Sequence, residues 1–364
     1  MIEKGKISGF QMVLMMHPTI MASGLIQMPS ITAMHAKQDT WISPILACII
    51  GYLNVYLVYQ LNKMYPKQTV VEYSRHIIGV IPGKILGFIF LLFYLHINGT
   101  IIREYGEFIN SSFLNRTPMV FILGSMVFVC SLAVRGGLEV IARCAQLVEQ
   151  FLFIALVISI MLLIPDLRLK YLFPVMENGI TPSIKGAIIS SSFYSDLLLI
   201  AFLLPFLKDQ DRGIKWGFSA VHLIVPTFIL FDIIPLLLLG DITGSITYPM
   251  LTAIRYIRIA DFFEHLEAIV MAIYVGGVFI KISVFFYAVT LGTAQWLNIS
   301  EYRLIVLPIG ILLVLISIWS TSSLQELARF FSTTGPFYML SIQTIVPLLL
   351  LIIALIRNRN KLPC

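Results

Sequence analysis

The sequence has few charged residues and lacks the short motifs of common enzymes and metal sites. Only 12% of its 364 residues are Asp, Glu, Lys or Arg, whereas 58% are hydrophobic. The four cysteines, Cys48, Cys130, Cys144 and Cys364, include no CxxC pair, which argues against a zinc site or a disulfide framework. HExxH, GxSxG and P-loop motifs are absent, and no loop is long enough for a separate catalytic domain. We therefore expect no enzyme activity, no cofactor and no metal.

Long apolar segments dominate the sequence instead. Apolar runs of about 20 residues, the length that a helix needs to cross a bilayer, recur along the chain. We predict an all-α polytopic membrane protein with about ten transmembrane helices in a single transmembrane domain. The predicted spans are 10–36, 42–62, 83–110, 118–134, 138–164, 184–207, 214–239, 262–292, 302–320 and 335–356. An excess of Lys and Arg on one set of loops predicts that both termini are cytoplasmic.

The first span contains a stretch of small residues between Pro18 and Pro29. The small residues are Ala22, Ser23 and Gly24, and with the preceding Met21 they are the candidate ligand-binding residues of this span. Gly and Ser lower the cost of leaving helical geometry, and irregular backbone at membrane depth is tolerated where it lines a cavity. Amides freed at such a break would bind an anionic group such as a carboxylate. The alternative is close helix packing through small side chains.

Ten spans divide into two sets of five that enter the membrane from opposite sides, as in the inverted repeats of many transporters. We expect the halves at about 10–164 and 184–356, with span 6 interrupted like span 1. Span 6 does contain a polar stretch, which consists of Ser190, Ser191, Ser192, Phe193, Tyr194, Ser195 and Asp196. A pair of interrupted spans in corresponding positions predicts a ligand site at the membrane midplane.

Several motifs resemble those of one known family. In chain order they are Met21–Pro29, Arg103–Glu107 followed by Asn115–Pro118, Arg135–Arg143, Leu172–Val175, Tyr248–Pro249, Arg255–Arg258, Glu264–Glu267 and Gly277–Ser283. Their order and spacing resemble the B subunits of bacterial spore nutrient germinant receptors. These subunits belong to the amino acid–polyamine–organocation transporter superfamily. The resemblance extends over nearly the whole chain.

This resemblance implies a LeuT-type core, a 5+5 inverted repeat with broken helices 1 and 6. It also implies residence in the inner membrane of the endospore, beside a lipoprotein C subunit and a larger A subunit. Family members sense nutrients, typically amino acids or sugars. The chain departs from the family pattern in two places. Ala22 stands where these proteins often have Gly, and Ser195-Asp196 stands where relatives often have Gly-Glu.

Two charged residues inside the predicted spans are the main functional candidates. An ionised carboxylate in the bilayer interior costs at least about 2.5 kcal/mol, so Asp196 is expected to face a cavity or a partner. It either binds a ligand amine or cation, or titrates, or caps the second half of span 6. By the resemblance, Lys281 faces span 1, and its ammonium would take the place of a cation there. Alternatively, Lys281 pairs with Glu267 or Glu149, or snorkels to the interface.

The remaining candidates have weaker signals. Arg103 and Glu107 are four residues apart on one helix face. This spacing favours an ion pair within the bundle or a subunit contact, and a ligand contact is the alternative. His96 is either a hydrogen-bonded packing residue or part of the ligand site. Phe193 and Tyr194 either close over a ligand as a gate or line a cavity.

Other polar residues in the spans are expected to serve packing. Glu149 and Asp232 are predicted to make interhelical polar contacts, and His17 has the same alternatives as His96. The stretch from Arg255 to Glu264 is predicted to form an interfacial helix on the outer side.

Two functions fit this pattern best. One is a receptor subunit that binds a small-molecule nutrient between spans 1 and 6 and signals to the A and C subunits. The other is a proton-coupled amino acid secondary transporter, because the same site serves both activities. An ion-conducting subunit is a weaker third hypothesis, because the sequence has no filter-like loop.

Overall fold

The chain folds into a nearly all-helical bundle in a computed structural model that describes residues 3, 5–256 and 267–359. Short 3₁₀ turns connect the longer helices. The α-helices are α1 Gly9–Ala36, α2 Ile42–Met64, α3 Val70–Ile78, α4 Val80–Ser112, α5 Met119–Gly136, α6 Leu138–Leu163, α7 Thr181–Ser195, α8 Ile200–Leu203, α9 Gly213–Leu239, α10 Pro249–Arg255, α11 Glu267–Leu297, α12 Val306–Trp319, α13 Leu324–Ser332, α14 Thr334–Leu340 and α15 Val346–Arg359.

Ten helical segments of the described chain are long and apolar enough to cross a membrane. They are span 1 Gly9–Asp39, span 2 Ile42–Met64, span 3 Val80–Ser112, span 4 Met119–Gly136, span 5 Leu138–Asp166, span 6 Thr181–Phe206, span 7 Gln210–Ser245, span 8 Ala268–Leu297, span 9 Tyr302–Trp319 and span 10 Thr334–Arg357. The ten predicted spans are therefore confirmed, most of them to within a few residues.

Spans 1 and 6 occupy the centre of the bundle. In their most apolar windows, 89% and 94% of residues are buried, against 22–67% for the other eight spans. The two halves also share a detail, because each has a short helix after its second span. That helix is α3 in the first half and α10 in the second. Both features agree with a LeuT-type arrangement of two five-span sets.

The unwound segment expected in span 1 is not present, so this prediction is wrong. Helix α1 runs without interruption from Gly9 to Ala36, with Pro18 and Pro29 inside it. The small residues serve close packing instead. A Cβ on Gly24 would lie 2.2 Å from Cε1 of Phe228, so the ring of span 7 occupies the space that glycine leaves. The helical hydrogen bonds also satisfy amides that would otherwise be buried without partners.

Span 6 is interrupted, at the C-terminal end of its polar stretch. Helix α7 ends at Ser195, and a 3₁₀ segment follows from Asp196 to Leu199. A second irregularity lies in span 10, where a π-helical turn covers Ser341–Ile345. Such π turns change the direction of side chains within a helix and occur frequently at functional sites. The change in helix type places Asp196 and the π turn next to each other.

The N-terminal segment closes one end of the bundle, which we call the N-terminal face. Ile7 pairs with the end of span 6, through bonds from its N–H to Phe206 O (3.1 Å) and from Lys208 N–H to its carbonyl (3.0 Å). On the opposite face, Pro249 starts α10, most of which is buried. The predicted outer interfacial helix lies mostly outside the described residues, because 257–266 are not among them.

Candidate functional site

A buried ion pair lies where the 3₁₀ segment of span 6 meets spans 8 and 10. Nζ of Lys281 is 3.3 Å from Oδ2 of Asp196, and both side chains are almost fully buried, at 2% and 0% exposed. Gln343, in the π turn of span 10, donates from Nε2 to Oδ1 of Asp196 at 3.0 Å. The hydroxyl of Ser195 donates to Oε1 of Gln343 at 2.5 Å. Both carboxylate oxygens of Asp196 therefore have partners, as a buried charge requires.

A second carboxylate, Glu104 of span 3, adjoins this pair. It is buried and accepts a 2.7 Å hydrogen bond at Oε2 from the hydroxyl of Ser23 in span 1. The ammonium of Lys281 attracts Glu104 electrostatically, and the side chain of Gln27 lies beside it. Oε1 of Glu104 and Oε1 of Gln27 are buried without a hydrogen-bond partner among the described residues. These two acceptors lack donors within the described part of the chain, which is energetically unfavourable.

These residues together form what we call the central cluster, which draws on spans 1, 3, 6, 8 and 10. Its members are Ser23, Gln27, Glu104, Ser195, Asp196, Lys281 and Gln343. With both carboxylates ionised and the ammonium charged, the cluster has one more negative than positive charge. It is chemically suited to bind a cationic or hydrogen-bond-donating group at Glu104. It can also bind an anionic group at Lys281 if the carboxylate of Asp196 moves away from the ammonium.

A cavity on the opposite face leads toward the central cluster. Its volume is about 340 Å³, and its lining includes Gln27, Met34, Tyr248 and Arg329. Burial raises the pKa of Tyr248 to about 12, so its hydroxyl keeps its proton at neutral pH. Gln27 both lines this cavity and lies beside Glu104. Tyr248 also lies close enough to Glu104 to interact with it electrostatically, so both side chains connect the cavity to the cluster.

The structure excludes some of the alternatives for Asp196 and Lys281. The turns that follow Asp196 have no side-chain cap, so its carboxylate pairs with Lys281 and does not cap the helix. Lys281 pairs with Asp196, not with Glu149, whose carboxylate lies 2.6 Å from Nδ1 of His17. The side chain of Glu267 lies outside the described part of the structure.

The other predicted residues of span 6 make packing contacts or hydrogen bonds within their own helix. The hydroxyls of Ser191 and Ser192 donate to carbonyls one turn earlier in their own helix. Phe193 stacks near Phe331, with ring centroids 6.4 Å apart, and Tyr194 packs edge-on against Phe228. In span 1, Ser23 reaches the central cluster, whereas Met21 and Ala22 line a different cavity.

The predicted residues of span 3 lie apart from the central cluster. His96 faces the rings of Phe330 and Tyr338. Arg103 and Glu107 form the predicted ion pair, with Nε to Oε1 at 2.9 Å, and Arg103 also donates to Ser322 O. The predicted interhelical role of Asp232 is confirmed, since it accepts from the hydroxyl of Thr32 in span 1 at 2.9 Å. His17 and Glu149 likewise join spans 1 and 5.

Three members of the central cluster, Gln27, Glu104 and Gln343, were not among the predicted site residues. Glu104 lies inside the Arg103–Glu107 motif, but the sequence pattern there indicates only the i,i+4 pair of Arg103 and Glu107. The sequence signal for Gln343 is its polar amide within an otherwise apolar run. Its inward direction depends on the π turn, which composition does not reveal.

The described geometry can be compared with known proteins. Residues 6–325 match the model of a family described as spore germination protein. The chain belongs to this family. Spore germination protein KB of Bacillus subtilis (strain 168) is 26% identical over 368 residues, covering 99% of this chain and 97% of that relative. Spore germination protein GerQB of Bacillus cereus is 24% identical, covering 91% of each.

Solved structures with the same fold are transporters. MhsT in complex with L-phenylalanine superposes with a TM-score of 0.62 at 14% identity, covering 97% of this chain and 99% of that one. Mhp1, a nucleobase-cation-symport-1 family transporter, gives a TM-score of 0.67 at 14% identity, covering 95% and 78%. At this identity the likeness establishes the fold alone. The fold of this spore germination protein is LeuT-type, as the resemblance implied.

Proposed function

We propose that this chain is the nutrient-sensing membrane subunit of a spore germinant receptor and that its ligand binds at the central cluster. One observation carries the proposal. Glu104 and Gln27 each have a buried oxygen without a hydrogen-bond donor among the described residues, and Gln27 lines a cavity that opens on the opposite face. Buried polar atoms without partners are rare in folded proteins and call for an explanation. A ligand that enters through this cavity supplies the missing donors.

The chemistry of the cluster favours an amino acid as the ligand. An ammonium group would donate to Glu104 and Gln27, while the ligand carboxylate would pair with Lys281. Because span 1 is helical through Ala22 and Gly24, its backbone amides are already bonded and would not bind that carboxylate. Lys281 would bind the ligand carboxylate instead, and Asp196 would hold the ammonium of Lys281 in position. L-phenylalanine bound to MhsT provides a parallel in the same fold. A sugar, whose hydroxyls also donate, is the competing ligand class.

Signalling follows from a difference in affinity between two conformations. Binding shifts an equilibrium only by the amount that the ligand prefers one state over the other. The ligand would bridge span 1 and span 3 to Lys281 of span 8, so it would favour the arrangement that brings these spans together. Partner A and C subunits in the inner membrane of the endospore would respond to that arrangement. Both termini would be cytoplasmic, with the cavity on the outer side.

A proton-coupled amino acid transporter is the alternative, and one observation favours it. Two carboxylates lie near one ammonium in the central cluster, and among the described residues only Asp196 forms an ion pair with it, so a proton on Glu104 would leave that ion pair intact. Transport requires that substrate accumulate against a gradient, whereas sensing requires binding alone.

The test uses the full chain in lipid vesicles, with radiolabelled amino acids and sugars and an imposed proton gradient. Saturable binding without accumulation supports the receptor, and gradient-driven accumulation supports the transporter. Glu104→Gln is expected to weaken amino acid binding at least tenfold, since it replaces a charged acceptor by a neutral amide. The matched control is Asp232→Asn, because Asp232 is an equally buried carboxylate outside the central cluster. Equal binding by wild type and Glu104→Gln would refute the ligand site.

A further inference from the structure

A second cavity lies on another face of span 1, between spans 1, 5, 7 and 8. Its volume is about 190 Å³, and most of its lining is apolar, including Leu152, Leu156 and Leu223. The face of α1 that lines it consists of Pro18, Met21, Ala22 and Leu25. These positions follow helical periodicity, whereas Ser23 points to Glu104 in the central cluster. The two sites are therefore on different sides of the same helix.

A buried polar group lies at the base of this cavity. Nδ1 of His17 is 2.6 Å from Oε1 of Glu149, and Nε2 of His17 is 3.1 Å from the hydroxyl of Thr227. Both His17 and Glu149 are more than nine-tenths buried. Oε2 of Glu149 has no hydrogen-bond partner among the described residues. The cavity is thus lined by one carboxylate, which can only accept hydrogen bonds, together with His17 and Thr227 in otherwise apolar surroundings.

The entrance of the cavity is on the lipid-facing side of the bundle. Phe153 of span 5 and Leu230 of span 7 line the cavity, and they are 59% and 36% exposed on the outer surface of the helices. A large apolar side chain exposed in the middle of a membrane span faces hydrocarbon. A molecule dissolved in the bilayer therefore reaches the cavity between spans 5 and 7 without crossing the central cluster.

We propose that this cavity binds a small apolar molecule with a hydrogen-bond-donating head, such as an aromatic alcohol or amine, taken up from the lipid. The head would donate to the carboxylate of Glu149, and the apolar body would fill the space among the leucines. An apolar cavity of about 150 Å³ is large enough to hold benzene, so 190 Å³ holds a ring with a one-carbon alcohol or amine arm. The alcohol and the amine can both donate a hydrogen bond, and the carboxylate of Glu149 lacks a donor for one of its oxygens among the described residues.

The experiment uses the full chain in lipid nanodiscs and fluorine NMR of 4-fluorobenzyl alcohol. Saturable line broadening above that of empty nanodiscs reports binding. We expect 4-fluorobenzyl alcohol or 4-fluorobenzylamine to bind at least tenfold more tightly than 4-fluorotoluene at equal bilayer concentration, because the toluene has no donor. Comparison of the affinities of the alcohol and the amine identifies the preferred head. Absence of saturable broadening, or equal binding of the toluene, would overturn the proposal.

Variants locate the bound molecule and separate it from the central cluster. Leu156→Trp fills the cavity and is expected to abolish binding, whereas Ile158→Trp on the same helix is the control. Ile158 is 47% exposed and does not line the cavity. Glu149→Leu is expected to make the alcohol and the toluene bind equally. Binding that survives Leu156→Trp would place the molecule elsewhere and refute the site. Glu104→Gln is expected to leave this binding unchanged, whatever its effect on nutrients.

Discussion

Gly24 shows how a single side chain, or its absence, decides the local structure. Its position in a run of small residues suggested a helix break, yet the ring of Phe228 fills the space beside its Cα. We expect Gly24→Ala to destabilise the protein by about 1–3 kcal/mol, the usual cost of overpacking a core. Thermal unfolding of the purified chain would measure this.

Two further variants distinguish packing from a backbone role. In Gly277→Ala the new Cβ would lie 3.5 Å from Cβ of Ala22, an ordinary contact, so little change is expected. Phe228→Leu should restore stability to Gly24→Ala, because it removes the ring atom that clashes. Lack of rescue would mean that Gly24 is needed for backbone freedom after all.

Lys281 and Asp196 are expected to have unequal effects when each is changed alone. Removing one member of a buried ion pair costs about 3–5 kcal/mol, because it leaves a charge without a partner. Asp196→Asn leaves Lys281 with Glu104 as a counter-charge, whereas Lys281→Met leaves two carboxylates and no cation. Lys281→Met should therefore be the more destabilising variant. Unfolding temperatures of both single variants and the double variant would check this order, and the reverse order would exclude Glu104 as a counter-charge.

Whole helices were more predictable than their irregularities. Span limits follow from apolar length, which is a local property, so ten spans were found from hydropathy alone. The interruption of span 6 also had a local signal, the polar run that ends at Asp196. The continuity of α1 had no local sequence signal, because it depends on Phe228 in another helix. The π turn of span 10 had no signal beyond Gln343 within an apolar run.

The π turn offers a matched pair of neighbouring residues. Gln343 donates to Asp196 and accepts from Ser195, whereas the buried hydroxyl of Thr344 has no partner among the described residues. We expect Gln343→Leu to cost about 1–3 kcal/mol, the penalty for leaving buried polar groups unpaired. Thr344→Val should be neutral or slightly stabilising, since it removes an unpaired polar atom. Thermal unfolding of both variants would measure the contrast, and similar losses in both would mean that the bonds of Gln343 contribute little.

Contacts between distant parts of the chain lie beyond what the sequence predicts. Lys281 and Asp196 are 85 residues apart, and Ser23 and Glu104 are 81 apart. Each residue can be recognised as a costly intramembrane polar group, but its partner depends on how the helices pack. For this reason the sequence leaves three alternatives for Lys281: a cation-like role beside span 1, an ion pair with Glu267 or Glu149, or a position at the membrane interface. The resemblance to a family supplied the LeuT-type arrangement, and the structure supplied the pairs.

Closure of the N-terminal face depends on one carboxylate that joins three parts of the molecule. Glu3 accepts hydrogen bonds from Gly5 N at 2.7 Å, from Leu138 N at the start of span 5 at 3.3 Å, and from the hydroxyl of Tyr302 at the start of span 9 at 2.6 Å. This carboxylate holds the segment that also pairs with the end of span 6 through Ile7. Movement of span 1 during signalling or transport would have to release these bonds.

Glu3→Gln is therefore expected to loosen the N-terminal face without unfolding the bundle. Hydrogen bonds to a charged group contribute about 1.5–3 kcal/mol, so opening should become roughly tenfold more frequent or greater. Hydrogen exchange of peptides that cover residues 5–12 and 204–208 would report it as faster exchange in both, because Ile7 joins them. Glu301→Gln is the control, since the contact that Glu301 makes in the described structure is an exposed 3.9 Å pair with Arg303. If Glu3→Gln accelerates exchange in residues 5–12 alone, the N-terminal segment opens independently of span 6. Closure of that face would then rest on the helices themselves.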